Sequence, residues 1–140
     1  MLIKQKYSLV NHPERVCNIM TSVLNAENEI DRNKEHFWVI GTNTKLRIEY
    51  IELVSLGGLS SSIVHPRETF RFAIMKGVSS LILVHNHPST ELTPSAEDYA
   101  ITEKLKQAGD IIGINVIEHM IIDGLGNYYS FKENHFKSTT

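Results

Sequence analysis

Apolar and polar positions follow two different periods along this chain, and the changes of period mark its elements. Val16, Ile19, Met20, Val23 and Leu24 recur at helical spacing behind His12-Pro13-Glu14. That predicts a helix to about Asn25 with Pro13 in its first turn. A short strand is expected within residues 1–10, and a polar run from Asn25 to Lys34 carries the chain outward. Phe37 to Gly41 is short, apolar and β-prone. Thr42-Asn43-Thr44 reads as a turn, and Leu46 to Leu56 is rich in β-branched and aromatic residues. Segments 36–41 and 46–56 therefore predict an antiparallel hairpin.

Gly57-Gly58 and the serines after them predict a loop. Pro66-Arg67-Glu68 opens a second helix with Phe70, Ala73, Ile74 and Val78 on its inner face and Gly77 at its end. Ser80 to Val84 is a continuous apolar run, expected as a strand buried on both faces. A third helix is expected from about Ser95 to Ala108, stopping near Gly109. Asn115 to Ile122 forms another strand, Asp123-Gly124 turns it, and Tyr128 to Phe131 returns. The last nine residues are polar and expected to fray. This order predicts a three-layer α/β domain with a central mixed β-sheet flanked by helices. The strand ending at His85 is expected to be central, and in such sheets sites collect beyond strand ends and at helix starts.

At 140 residues and 41% hydrophobic composition the chain suits one domain with a packed core. We divide it into a helical lead-in over 1–34, a core over 35–131 and a polar tail over 132–140. A net charge of −2 gives no whole-surface attraction to nucleic acid. Lys45, Arg47, Arg67, Arg71 and Lys76 read as solvated surface rather than a basic patch. The single cysteine, Cys17, excludes an internal disulfide or a multi-thiolate zinc site. It sits among apolar neighbours as a small core residue and fits a reducing compartment. No run approaches the ~18 apolar residues of a membrane span, and the N-terminus lacks a signal-peptide pattern. A cytoplasmic location and no membrane association are expected.

The chemistry concentrates in residues 85–98, HNHPSTELTPSAED. Residues two apart on a strand point the same way, so His85 and His87 aim at one point if the strand persists past Val84. Pro88 then breaks it, Thr93-Pro94-Ser95 signals a helix start, and Asp98 falls in the first turn. Two imidazoles and a carboxylate would give three ligands, leaving the fourth place of a zinc site open. Taken singly, each part has a plainer reading. A His-x-His pair is more often two turn histidines, and Ser95-x-x-Asp98 is also a capping box. A nucleoside-deaminase-type zinc site fails for want of cysteines.

The spacing His-x-His, seven residues, Ser-x-x-Asp resembles the motif of JAMM (MPN+) metallopeptidase domains, which have a cytidine-deaminase-like layered fold. The words around it resemble the RadC-like branch. They are Pro66-Arg67-Glu68, HNHPS, Thr93-Pro94-Ser95, Gly113-Ile114 before His119, and Tyr128-Tyr129-Ser130-Phe131. The similarity covers about residues 35–131. Thr90 stands where that branch has glycine, and Glu118 where it has aspartate. The helix-hairpin-helix module of full-length RadC proteins has no counterpart in the thirty-odd residues before the core, which weakens an inherited DNA role.

The resemblance implies one Zn²⁺ held by His85, His87 and Asp98, with water as nucleophile, Glu35 as general base and Ser95 as oxyanion donor. It implies hydrolysis of a peptide or isopeptide bond in a peptide or protein substrate. Glu35 directly precedes the Phe37 strand, where the family's glutamate sits; Glu49, Glu52 and Glu68 remain alternatives. His119 is either a residue that orients a ligand or an ordinary polar strand position. His12, His36, His65 and His135 read as surface residues. A DNA-associated accessory role, binding rather than cleaving, is the alternative function. A metal-free scaffold is disfavoured by the intact ligand set. Oligomeric state stays open, a homodimer included.

Overall fold

The computed structural model describes residues 2–3 and 8–136. Six strands form one sheet in the order β1-β3-β2-β4-β5-β6. They are β1 (Leu2–Ile3), β2 (His36–Thr42), β3 (Ile48–Leu56), β4 (Ser80–Asn86), β5 (Asn115–Ile122) and β6 (Tyr128–Ser130). β4 and β5 run parallel and every other pair is antiparallel, so the sheet is mixed. A parallel pair needs a crossover between its strands. Helix α4 (Ala96–Ile112) supplies it.

Side-chain alternation sorts the apolar residues into two cores. Trp38, Ile40, Ile82, Val84, Met120 and Ile122 pack on α1 (Pro13–Asn25) through its Val16, Met20 and Leu24. Phe37, Val39, Leu81, Leu83 and Val116 pack on the other face, against Phe70 and Ala73 of α3 (Pro66–Lys76) and Ile101 and Leu105 of α4. This is the three-layer α/β architecture expected from the pattern. β4 is central, and its Leu81, Leu83 and Val84 are fully buried.

Several boundaries differ from the pattern, each for a local reason. The polar run after α1 contains a short helix, α2 (Glu29–Arg32), capped when the Asn28 side chain accepts from the Asp31 N–H at 2.8 Å. Thr42 stays in β2, and β3 begins at Ile48 because Leu46 takes a left-handed turn conformation at φ 59°. Ile74 is 58% exposed; α3 buries Thr69, Phe70 and Ala73 instead. Helix α4 does not stop at Gly109 but runs to Ile112 and ends at left-handed Gly113. Gly109 is there for packing, since a Cβ on it would lie 2.5 Å from the Ile114 carbonyl oxygen. Phe131 leaves the last strand and opens α5 (Phe131–Asn134), capped by Ser130. The expected frayed tail instead begins in helix, over residues 132–134, while its end, residues 137–140, lies outside the described residues, as do residues 1 and 4–7 of the expected N-terminal strand segment.

Candidate metal centre

β2 and β4 end side by side, and strand parity decides what meets there. Phe37 pairs with His85, and directly paired residues share a face. Two residues on along each chain, Glu35 and His87 take that same face, toward α4. β4 reaches Asn86, two residues past the apolar run, so both imidazoles are delivered to one point. The backbone N–H of His87 donates to the Ile122 carbonyl at 3.0 Å and extends the link to β5.

Four donor atoms of three side chains converge. His85 Nε2 lies 3.0 Å from His87 Nε2 and 3.2 Å from Asp98 Oδ1, and His87 Nε2 lies 3.1 Å from Asp98 Oδ2. A tetrahedral ion with bonds of about 2.0–2.1 Å sets neighbouring ligand atoms about 3.3 Å apart. These spacings, between the two imidazoles and between each imidazole and one Asp98 oxygen, suit one small transition-metal ion. Glu35 adds a further oxygen, and one ligand atom each from Glu35, His85 and His87 all lie within 4.8 Å of one another. Glu35, His85 and His87 thus form one group able to hold an ion, and Asp98 meets both histidines of it. The other carboxylates stand apart: Glu49 takes the Asn43 amide at 3.4 Å, Glu52 lies on β3 one strand farther from β4, and Glu68 meets Arg67 at 3.3 Å.

Asp98 is fixed from two directions. Ser95 is the N-cap of α4, and the capping box is complete. Its Oγ accepts from the Asp98 N–H at 3.1 Å, while Asp98 Oδ2 accepts from the Ser95 N–H at 2.8 Å. Ser95 is thus the cap, and accepting a bond leaves its hydroxyl proton free to donate. Burial opposes ionisation of Asp98. The contacts with His85 and His87 and the Ser95 N–H outweigh it and hold the carboxyl well below the usual carboxylate range. For His87, burial favours the neutral ring, but the neighbouring Asp98, the Glu91 carbonyl and Glu35 raise its value above that of an ordinary imidazole.

Glu35 is anchored by backbone and by a side chain the sequence did not single out. Its Oε1 accepts from the Leu59 N–H at 3.0 Å, which leaves the second oxygen for chemistry. The residues on either side of it are both held by Asn86. Asn86 Oδ1 accepts from the His36 N–H at 2.6 Å and its amide donates to the Lys34 carbonyl at 3.1 Å. The amide side chain thus continues the β2–β4 ladder one step beyond the Phe37–His85 pair. The loop bearing Leu59 is pinned to α4 in turn. Glu97 accepts from the Ser61 N–H at 2.8 Å, and Lys104 donates to the Ser61 and Val64 carbonyls at 2.7 and 2.8 Å.

One histidine placement corrects the sequence reading. His36 is not on the surface but fully buried, stacked on Trp38 at 4.8 Å with its Nε2 3.0 Å from Glu27. His119, left open between two readings, is fully buried, and Glu118 beside it is buried too. His119 Nε2 lies 2.8 Å from His85 Nδ1, and its Nδ1 lies 2.5 Å from Thr102 Oγ1. Burial, then the neighbouring His85, depress the His119 value well below ordinary. Glu118 accepts from Ser130 Oγ and from the N–H groups of His119 and Lys132 at 2.6–2.9 Å, and so ties β5 to the β6–α5 corner. Thr102 and Asn86 were missed. Thr102 carried a signal, because it lies four residues after Asp98 and so on the same helix face.

Fold and site together define an α/β domain with a candidate metal centre at the carboxyl end of a central strand. Residues 10–136 match the RadC-like JAB domain, and the chain belongs to that family. It is 46% identical over 130 residues to a UPF0758 protein of Caldanaerobacter subterraneus subsp. tengcongensis, covering 88% of this chain and 54% of that one. It is 49% identical over 105 residues to a UPF0758 protein of Methanococcoides burtonii, covering 75% of this chain and 45% of that one. The chain spans about half the length of these relatives. No described helix is long and apolar enough to cross a membrane.

Proposed function

We propose that the chain is a zinc-dependent hydrolase that cleaves a peptide or isopeptide bond in a peptide or protein substrate. The observation carrying this reading is the convergence of His85, His87 and Asp98 within 3.2 Å at tetrahedral-edge spacing, with Glu35 nearby on the same face. When bound, zinc would supply Lewis acidity and acidify water at neutral pH. The Glu35 oxygen left free by Leu59 takes a proton from the attacking water and returns it to the leaving amine. The Ser95 hydroxyl donates to the carbonyl oxygen as negative charge develops there. Asp98, held ionised by its neighbours, balances the cation, and Asn86 and Leu59 keep Glu35 aimed.

Elemental analysis of purified protein tests the first half of this proposal: one zinc per chain is expected, lost on His87→Ala or Asp98→Ala. A panel of peptide and isopeptide substrates tests the second half, with Glu35→Gln as the inactive control. Activity surviving Glu35→Gln would remove Glu35 as base. A chain that holds zinc, cleaves nothing on the panel, and binds DNA with an affinity that falls steeply with salt would favour the DNA-associated alternative.

A further inference from the structure

We infer that a cleft on the α1 side of the sheet, built around Arg32, takes an acidic side chain of the peptide substrate. The inference rests on the hydrolase reading and names the substrate class of that site. The end of β4 serves two faces. His85 and His87 point toward α4, so Asn86, between them, points the other way. Asn86, Pro88 and Thr90 line a cleft of about 280 Å³ on that other side. The end of α1, helix α2 and the turn at 123–125 close it, so it lies at the carboxyl ends of the parallel strands β4 and β5. Ligands collect in crevices at that end of a sheet. Clefts for whole small molecules begin at about 300 Å³, so this one suits a single side chain.

Charge decides what the cleft takes. Arg32 is its cationic side chain among the described residues. It is half-buried, and its guanidinium makes no hydrogen bond or ion pair with a described residue. The two carboxylates that also line the cleft are already satisfied. Asp123 accepts from the Leu125 and Asn127 N–H groups at 2.7 and 3.1 Å and from the Asn127 amide at 2.8 Å. Glu29 is exposed to water in the first turn of α2. The guanidinium is therefore the group that lacks a partner, and a carboxylate matches its planar fork. Leu24 and Leu125 give apolar lining for the stem of a glutamate.

A pinned loop separates the cleft from the metal centre. The Thr90 N–H donates to the His87 carbonyl at 2.9 Å, and the Thr90 hydroxyl donates to the Ser89 carbonyl at 2.6 Å. Thr90 holds φ 66°, a left-handed conformation that a β-branched residue takes only under constraint. An extended peptide advances about 3.3 Å per residue, and a sheet layer is about 10 Å thick. A substrate held at the metal centre and crossing this strand end therefore reaches the cleft about three residues from its scissile bond.

Selection of a randomised heptapeptide library on the Glu35→Gln protein, with and without zinc, tests this. Aspartate or glutamate should be enriched at one position, and the enrichment should vanish when Arg32→Ala is added. Arg32→Ala should keep the fold, with Tm within about 2 °C, because Arg32 bonds to no described side chain. Arg32→Gln, which keeps much of the stem, is measured beside it. Fluorescence anisotropy then compares the best selected peptide with its counterpart carrying the amide in place of the acid. Losing either partner should weaken binding about tenfold, and losing both should weaken it no further. A library with no acidic enrichment, or an acidic preference that survives both Arg32 variants, overturns the inference. The two readings fail separately. Acidic peptides that need Arg32, selected by a chain that takes up no zinc, would keep the cleft and defeat the hydrolase. Zinc-dependent cleavage with no acidic preference would keep the hydrolase and defeat the cleft.

Discussion

Asn86→Ala should loosen Glu35 while leaving both neighbouring histidines in place. Asn86 is 1% exposed and its amide holds the His36 N–H at 2.6 Å and the Lys34 carbonyl at 3.1 Å. Removing the acceptor leaves the His36 N–H buried and unpaired, at a cost of about 1–3 kcal/mol. Losing the bond to Lys34 adds about 0.5–1.5 kcal/mol. The sum, about 1.5–4.5 kcal/mol, corresponds to a drop of roughly 10 °C in Tm for a domain of this size. His85 and His87 should stay put, because β5 pairs with β4 through Asn86 and the His87 N–H is held by Ile122. Thermal unfolding of metal-free protein, followed by circular dichroism, reads the first effect. Zinc titration reads the second: affinity within about threefold of the parent is expected if Glu35 moves protons rather than ligating. A Tm drop under about 3 °C would refute the ladder-extension argument, since even one orphaned buried N–H predicts that much. A loss of zinc affinity beyond about tenfold would place Glu35 among the ligands.

On the proposed reading proton and zinc compete for His87 Nε2, whose pKa is raised by Asp98 and the Glu91 carbonyl against the effect of burial. Below that raised value apparent zinc affinity should fall about tenfold per pH unit, and above it this group should contribute no slope. Titrations giving a flat affinity from about pH 5 to 8 would contradict the assignment. Gly109→Ala puts a Cβ 2.5 Å from the Ile114 carbonyl oxygen. It should destabilise the fold by about 1–3 kcal/mol in denaturant unfolding, and a neutral effect would mean that α4 can shift freely. Ser95→Ala should cost about 1 kcal/mol of stability through the lost cap. On an identified substrate it should also lower kcat by about 10²–10³-fold as an oxyanion donor. A stability loss with unchanged kcat would leave Ser95 only its capping role.

The sequence made the layers and the two-histidine strand end legible because both follow from side-chain period, which needs no tertiary knowledge. It also located Ser95 and Asp98 at a helix start, where capping chemistry leaves a local mark. Asn86 was not legible. Its work is done across fifty residues of sequence, from β4 to the residues flanking Glu35. His36 looked like a surface residue because nothing local shows that Trp38 and Glu27 enclose it. Gly109 read as a stop because glycine usually ends helices, and only the close approach of the Ile114 backbone shows its other use. The second end of α3 misled for the opposite reason: Ile74 keeps helical period, but the sheet is already covered by Phe70 and Ala73.

Helix α4 carries Asp98, Thr102, Glu97 and Lys104, so a single element brings one candidate ligand, a hydroxyl against His119 and both clamps of the Leu59 loop. In the unfolded chain only His85 and His87 are neighbours, and two imidazoles make a weak site. The full set exists only after α4 has docked across β4 and β5. On the proposed reading zinc would therefore select the folded chain, adding about 2.7 kcal/mol at a hundredfold excess over Kd. Metal uptake would come last in assembly, as a seal on a sheet already in register rather than a template that forms it.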